Sequence, residues 1–365
     1  VRVGCPKEIK THEYRVGLTP DSAAELVRVG HDVFLETGAG EGIGAGDTVY
    51  QKAGVEILPD ADAVFDVSEL IIKVKEPQPI EIARLKPHHV LFTYLHLAPD
   101  PHQAHGLMRS GATCIAYETV TDKYGRLPLL KPMSEVAGRM SIQVGAHYLE
   151  KAHGGRGVLL GGVPGVRPAH VVILGAGVAG YNAAQIAVGM RARVTVFDKN
   201  QTRLEELDRE FNGRLETVYS TRASVEEAVS QADVVIGAVL IAGAAAPKLV
   251  TRPMLKTMRP GSVLVDISID QGGCFETSKP TTHADPVFVI DDVTHYCVAN
   301  MPGAVARSSA FALNNATLPF VLALAGKGTG QAMAEDPHLA AGLNVHHGAI
   351  VHEAVRAELA QVRGT

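Results

Sequence analysis

The feature that most limits what this chain can fold into is the run Gly175-Ala176-Gly177-Val178-Ala179-Gly180, together with its flanks. The apolar stretch Val171–Leu174 precedes it, and the helix-patterned Tyr181–Arg191 follows. A second strand-like run, Val194–Phe197, then ends at Asp198. Among 37 glycines, a GxGxxG spacing alone says little. Placed between a strand and a helix, with an acid closing the next strand, it is the fingerprint of a dinucleotide-binding βαβ unit. Gly175 permits the tight turn, Gly177 lets a pyrophosphate approach the backbone, and Gly180 lets helix and strand pack closely. The phosphates then face the positive end of the helix. Asp198 can accept hydrogen bonds from both ribose hydroxyls and would repel a 2′-phosphate, so the expected cofactor is NAD rather than NADP, even with Lys199 and Arg203 close by. Two other glycine clusters do not compete. Gly38–Gly44 never fulfils the spacing, and Gly161–Gly165 contains Pro164 and precedes the strand, as an interdomain loop would.

The rest of the chain alternates in the same rhythm. Strand-like runs at Val1–Gly4, Val33–Leu35, Leu70–Val74, Val90–Phe92 and Thr113–Ala116 are separated by helical patterns at Ala23–Val29, Ala61–Val67 and Pro101–Ser110. A long helical pattern starts near Ser134 and runs to about His153. The glycine-rich stretch Gly154–Gly165 follows, and then a second series of strands: Val171–Leu174, Val194–Phe197, Val234–Leu240, Val263–Ile267 and Val287–Ile290. From Ser308 onward the reading gives only helices, at Ala310–Ala325 and Ile350–Gln361. With 365 residues, two domains are expected. The fold class is α/β with two doubly wound domains: a Rossmann domain, residues 129–305, inserted into a second domain formed by residues 1–128 and 306–365, with the active site in the cleft between them.

Composition excludes other classes. The formal net charge of −5 is spread along the chain with no basic stripe, and tryptophan is absent, so no nucleic acid partner is expected. No apolar run reaches bilayer-spanning length; Val234–Ala246 and Ala316–Ala325 are too short, so no membrane association is expected. Val1-Arg2-Val3-Gly4 reads as a strand, not a secretory signal. Cys5, Cys114, Cys274 and Cys297 are scattered, which fits reduced thiols in a cytoplasmic protein. The pairs His88-His89 and His346-His347 read as surface residues, and no metal is expected.

In an open parallel sheet, ligands gather outside the carboxyl ends of the strands. That rule selects Arg15, Lys75, His96 and Asp270. A guanidinium can clamp a carboxylate with two prongs. A lysine can bind a carboxylate or polarise a carbonyl, a histidine can shuttle protons near neutral pH, and an aspartate can orient ammonia or water. By residue type alone each has an ordinary alternative: Arg15 and Lys75 as solvated charges, His96 as a hydrogen-bonded core histidine, Asp270 as a turn former before Gly272-Gly273.

Longer motifs then narrow the reading. They are Pro6-Lys7-Glu8-Ile9-Lys10, Arg15-Val16-Gly17-Leu18-Thr19-Pro20, Lys73-Val74-Lys75-Glu76-Pro77, Phe92–Leu97, Pro132–Gly138, Val265–Gly273 and His295–Gly303. In this order they resemble bacterial alanine dehydrogenases essentially end to end. The resemblance implies reversible NAD-dependent deamination of L-alanine to pyruvate and ammonia. It implies that Arg15 and Lys75 hold the substrate carboxylate and carbonyl, that Asn300 contacts substrate, and that His96 and Asp270 manage protons. As cofactor contacts it implies Ser134, Gly175, Gly177, Val178, Gly180, Asp198, Arg203, Ser220, Val239, Leu240, Ile267, Asp270, Lys279, Val298, Asn300 and Met301. Lys279 stands where the family often has arginine. Some relatives carry a metal near a Glu-His pair after the first C-terminal helix, where this chain reads Gly326-Lys327-Gly328. The resemblance also implies a homohexamer. A related family, the NAD(H)-binding part of proton-pumping transhydrogenase, shares the fold. Lys75, His96 and Asp270 favour alanine dehydrogenase over it.

Overall fold

A computed structural model describes residues 1–239 and 246–362. Leu240, one of the expected cofactor contacts, lies outside them. In chain order the strands are β1 (Arg2–Cys5), β2 (Asp32–Glu36), β3 (Glu56–Leu58), β4 (Leu70–Ile72), β5 (Val90–Thr93), β6 (Thr113–Ala116), β7 (His170–Leu174), β8 (Arg193–Asp198), β9 (Glu216–Tyr219), β10 (Val234–Gly237), β11 (Val263–Asp266), β12 (Val287–Ile290), β13 (Val293–Tyr296), β14 (Leu343–His346) and β15 (Ala349–Ile350). The chain divides into two compact units, Val1–Met133 with Val305–Thr365, and Ser134–Ala304.

The first unit holds an eight-stranded sheet in the order β15-β14-β6-β5-β4-β1-β2-β3. From β6 to β3 every pairing is parallel. Its central strands are continuous apolar runs because helices cover both faces: Leu70, Ile71 and Ile72 are all buried. One face packs Val3, Leu35, Ile72 and Phe92 against Leu313, Val321 and Leu324 of the Ala306–Lys327 helix. The other packs Ile71, Leu91 and Cys114 against Phe65 and Leu107. The helix Pro20–Arg28 shows how local chemistry sets an element's start. Thr19 caps it by accepting from the Ser22 N–H, and Pro20 occupies the first turn, where no donor is needed. The Thr19 N–H in turn donates to Asn314 Oδ1 at 2.9 Å, tying this helix start to the long C-terminal helix.

Two sequence expectations change here. The C-terminal region is not wholly helical, since β14 and β15 form a hairpin that adds antiparallel strands to β6. Its two-residue turn, His347-Gly348, has positive φ at both positions, as such a turn needs. Strands of four and two residues are too short to carry a periodicity, and Ile350, read as helical, belongs to β15. The helix Ala306–Lys327 is longer than the sequence reading allowed. By length and composition alone the helical stretch Met301–Lys327, which includes it, passes for a membrane span, yet Ala310, Leu313, Val321 and Leu324 are buried in the core of the first unit.

The second unit holds a seven-stranded sheet, β12-β13-β11-β10-β7-β8-β9, parallel except for the edge pair β12–β13. Both sheets contain the doubly wound order: from the first strand two parallel strands follow on one side and three on the other, so direction reverses beside β1 and beside β7. All four cysteines are free and buried. Burial pushes the thiols of Cys5, Cys114 and Cys297 up to about 12, so they pack as apolar groups.

The histidine pairs are also not simply surface residues. His89 is completely buried. Its Nδ1 accepts from the Lys86 N–H at 2.9 Å, and its Nε2 lies 3.0 Å from the Phe65 carbonyl. Only a neutral ring satisfies both bonds. Burial first, and the neighbouring His88 second, lower its pKa from 6.5 to about 4. His346 Nδ1 is held by Thr113 Oγ1 at 3.1 Å. A depressed histidine pKa means that the unfolded chain binds the proton first. The contribution of His89 is therefore complete above about 6.5 and is lost as pH falls toward about 4, by on the order of 2–3 kcal/mol. Urea unfolding of the His89→Gln variant is expected to show a flatter pH dependence over that window than the parent. An unchanged slope would show that His89 does not carry the acid sensitivity.

Candidate active site

Arg15, Lys75 and His96 all follow the carboxyl ends of adjacent strands: Arg15 after β1, Lys75 after β4 and His96 after β5. Hydrogen bonds join the last two of these loops. Lys73 N–H donates to Phe92 O, Tyr94 N–H donates to Val74 O, and Thr93 Oγ1 donates to the Lys75 carbonyl at 2.9 Å.

Arg15 is buried, not a solvated charge. Glu13 clamps it, accepting from Nε at 2.7 Å and Nη2 at 2.6 Å, while Nη1 approaches Met133 Sδ at 3.0 Å. Burial works against the guanidinium charge, but the Glu13 carboxylate outweighs it and keeps the group protonated. Lys75 is half-buried. The next residue, Glu76, faces two of the candidates. Burial opposes its ionisation, yet Lys75 and Lys10 hold its carboxyl below the usual range. One Glu76 oxygen pairs with Lys10, and the other, buried and without a hydrogen bond, lies 3.8 Å from His96 Nδ1.

His96 keeps 44% of its side chain exposed, so it is reachable rather than a core histidine. Its backbone is left-handed, φ 48°, which costs a non-glycine residue about 1 kcal/mol or more. Glu118 holds that conformation by accepting from the Leu95 N–H at 3.1 Å and the His96 N–H at 2.6 Å. The ring lies 5.7 Å from that of Tyr94, whose hydroxyl donates to Leu129 O.

Under these loops lies Lys73, completely buried, 3.1 Å from Glu8 and 2.7 Å from Glu81. The second Glu8 oxygen accepts from the Val74 N–H at 2.7 Å, so this buried group fixes the backbone that carries Lys75.

In the second unit the glycine run has the backbone geometry its spacing implies. Gly175 has φ +104°, and a Cβ there would come within 2.6 Å of Ala238 O. At Gly180 a Cβ would stand 1.8 Å from Gly175 O, which no side chain survives. Gly177 is different: nothing lies within 4 Å of where its Cβ would be, and it caps the Val178–Gly189 helix. It leaves an open, positive helix end of the kind that takes a diphosphate. Asp198, at the end of β8, accepts from the Ala176 N–H at 2.7 Å and the Asn200 N–H at 2.8 Å. Arg203 Nε donates to Ala176 O at 2.8 Å, and its guanidinium stands over the Tyr181 ring.

The remaining candidates gather mostly at the same sheet edge. Ser220 follows β9, Val239 follows β10, Ile267 follows β11, and Val298, Asn300 and Met301 follow β13. Ser220 N–H donates to Asp198 O, Ile267 N–H donates to Gly237 O, and Ser268 Oγ donates to Val239 O at 2.6 Å. Asn300 is left-handed, φ 61°, and its carbonyl lies 3.1 Å from His283 Nε2. Val178 is exposed beside Gly177, and Val298 and Met301 are buried. Asp270 is exposed in the single turn Ile269–Gln271. Ser134 stands in the first turn of the Lys131–Tyr148 helix, and the Lys279 ammonium lies over the Phe288 ring on the edge hairpin, so neither belongs to a strand's carboxyl end.

The residues that sequence reasoning missed are the supporting carboxylates. Glu8, Glu13, Glu76 and Glu118 back the candidates in the first unit. Asp266 does so in the second, accepting from Ser268 N–H, Cys274 N–H and Ser278 Oγ, and so shapes the loop that carries Asp270. Burial is the foremost influence on Asp266 and raises its pKa against those bonds. Glu8 and Glu76 each directly follow a lysine, Lys7 and Lys75, and that adjacency is the signal the sequence offers for them.

Comparison with known proteins decides the family. Residues 4–137 match the N-terminal domain, and residues 141–353 the C-terminal domain, of "Alanine dehydrogenase/PNT". The chain belongs to the alanine dehydrogenase/PNT family. It is an oxidoreductase. It is 61% identical to the alanine dehydrogenase of Halomonas elongata, over 97% of this chain and 96% of that one. A solved L-alanine dehydrogenase superposes with a TM-score of 0.96 at 50% identity, over 99% of this chain and all of the other. A transhydrogenase from Sinorhizobium meliloti follows at 0.83 and 26%, covering 97% of this chain and all of its own length.

Proposed function

We propose that this oxidoreductase interconverts L-alanine with pyruvate and ammonia, using NAD. The observation that carries the reading is the convergence of Arg15, Lys75 and His96 behind three adjacent parallel strands, each residue backed by a carboxylate. A guanidinium, an ammonium and a reachable imidazole suit a small 2-oxo acid.

On this reading residues 134–304 form the nucleotide-binding domain, and the other unit is the substrate domain. Gly175, Gly177 and Gly180 shape the loop for the diphosphate. Asp198 takes the ribose hydroxyls, with Arg203 and the residues after β9, β10, β11 and β13 completing the contacts. When bound, the nicotinamide supplies the hydride chemistry.

The chain's own residues supply binding and proton handling. Lys75, the more accessible cation, docks the substrate carboxylate or carbonyl, and Arg15, fixed by Glu13, offers the second cationic contact. His96 gives and takes the proton at the substrate oxygen or nitrogen, with the Glu76 carboxylate 3.8 Å from Nδ1. Asp270 is assigned the second proton-handling role on the nucleotide-binding side, and Asn300 a polar contact to substrate. We place the protein in the cytoplasm as a homohexamer, by analogy with relatives of this kind.

The test is the oxidation of NADH in the presence of pyruvate and ammonium, followed at the nicotinamide absorbance band. Oxidation is expected to require both pyruvate and ammonium and to fall sharply with NADPH. Asp198→Ala is expected to weaken NADH by about tenfold, since charge-assisted hydrogen bonds are worth about 1.5–3 kcal/mol, and to narrow its advantage over NADPH. NADH binding without turnover in any combination of these substrates would reject the assignment.

A further inference from the structure

Among the described residues, one group of three potential metal ligands converges, and it lies outside the nucleotide loop. His147 stands in the last turn of the Lys131–Tyr148 helix, Glu150 follows the helix, and His153 ends the single turn Lys151–His153. One ligand atom from each lies within 4.8 Å of the other two. His147 Nδ1 is 4.0 Å from one Glu150 oxygen, and His153 Nε2 is 3.7 Å from the other. The two imidazole rings lie 3.9 Å apart between centroids, tilted by 42°, and both lie edge-on to Tyr148.

We propose that His147, Glu150 and His153 bind a divalent transition cation such as zinc. The donor set selects that class: two imidazoles and one carboxylate suit zinc, nickel or copper, whereas magnesium and calcium want an all-oxygen shell. A tetrahedral ion with bonds near 2.0–2.1 Å needs donors about 3.4 Å apart. The side chains are exposed and the backbone beneath them is held, so χ rotation is the movement that would close the donors to that spacing. Glu150 N–H donates to His147 O, His153 N–H to Glu150 O, Gly155 N–H to Glu150 O and Gly157 N–H to Leu149 O. The left-handed Gly154 closes the turn. The carbonyl end of an 18-residue helix adds favourable potential for a cation. The adjacent positive group, Lys151, packs its aliphatic stem against Gly157. Spaced as i, i+3 and i+6 across a helix end, the triad matches no regular ligand motif, which is why its sequence does not announce it.

The experiment is equilibrium binding of zinc to the full-length protein by competition with a chromophoric chelator, with magnesium as control. The parent is expected to bind one more equivalent of zinc than the His147→Ala/His153→Ala variant, with Glu150→Gln weakened by more than about tenfold. Cobalt should give the intense visible bands of a four-coordinate ion in the parent and lose them in the double variant. Zinc should raise the Tm of the parent alone, because a ligand held only by the folded state stabilises it. All three residues are exposed and outside the proposed catalytic set, so activity in chelator should be the same in parent and variants. Equal zinc stoichiometry in parent and double variant, or octahedral cobalt spectra in both, would overturn the assignment.

Discussion

His96→Ala is expected to lower turnover by about 10²- to 10⁴-fold, the usual contribution of a positioned acid–base group, while the dissociation constant for NADH stays unchanged. The two readouts separate because His96 stands in the first unit behind β5, whereas the glycine loop belongs to the second. Stopped-flow single turnovers and NADH fluorescence titration would measure them independently. The substitution also removes the imidazole beside Glu76 and leaves the Glu118 bonds to the backbone in place, so the loop should keep its shape. Turnover within a few fold of the parent would remove His96 from the chemistry. Loss of NADH binding together with turnover would show instead that the change disturbed the second unit.

The glycine loop was legible because its constraints are local. A tight turn, an open helix end and a close helix–strand approach each demand glycine at a fixed spacing, and Gly175, Gly177 and Gly180 meet one demand apiece. The strands β4, β10 and β11 were legible for a related reason: burial on both faces leaves them almost no polar residue. By contrast β3, β9 and the β14–β15 hairpin are short and partly polar, lying at or near sheet edges. Their strand character comes from the neighbour they pair with, which no local pattern records. The same divide runs through the site. The carboxyl-end rule selects Arg15, Lys75 and His96, which lie behind β1, β4 and β5, because it needs only strand positions. It could not find Glu118, which reaches His96 across 22 residues of sequence, nor show that Arg15 is buried against Glu13.

Lys73→Met is expected to destabilise the first unit by about 3–5 kcal/mol, the usual cost of breaking a buried ion cluster from one side. Lys73 offsets two buried carboxylates, and burial already pushes the Glu8 carboxyl above its ordinary range against the pull of Lys73. Removing the cation leaves both acids facing each other without compensation. Glu8 would then protonate, and a neutral Glu8 is a weaker acceptor for the Val74 N–H that fixes the Lys75 loop. Two consequences can be measured. Urea denaturation should show the loss of stability. In a Lys73→Met/Glu8→Gln/Glu81→Gln variant most of it should return, since replacing a whole buried charged group costs far less than orphaning part of it. The triple variant should still show a raised KM for pyruvate if the cluster positions Lys75, because stability and loop placement are separate outcomes of the same three side chains. Recovery of stability together with a normal KM would confine the cluster to holding the fold and leave the placement of Lys75 to Thr93 and Glu76.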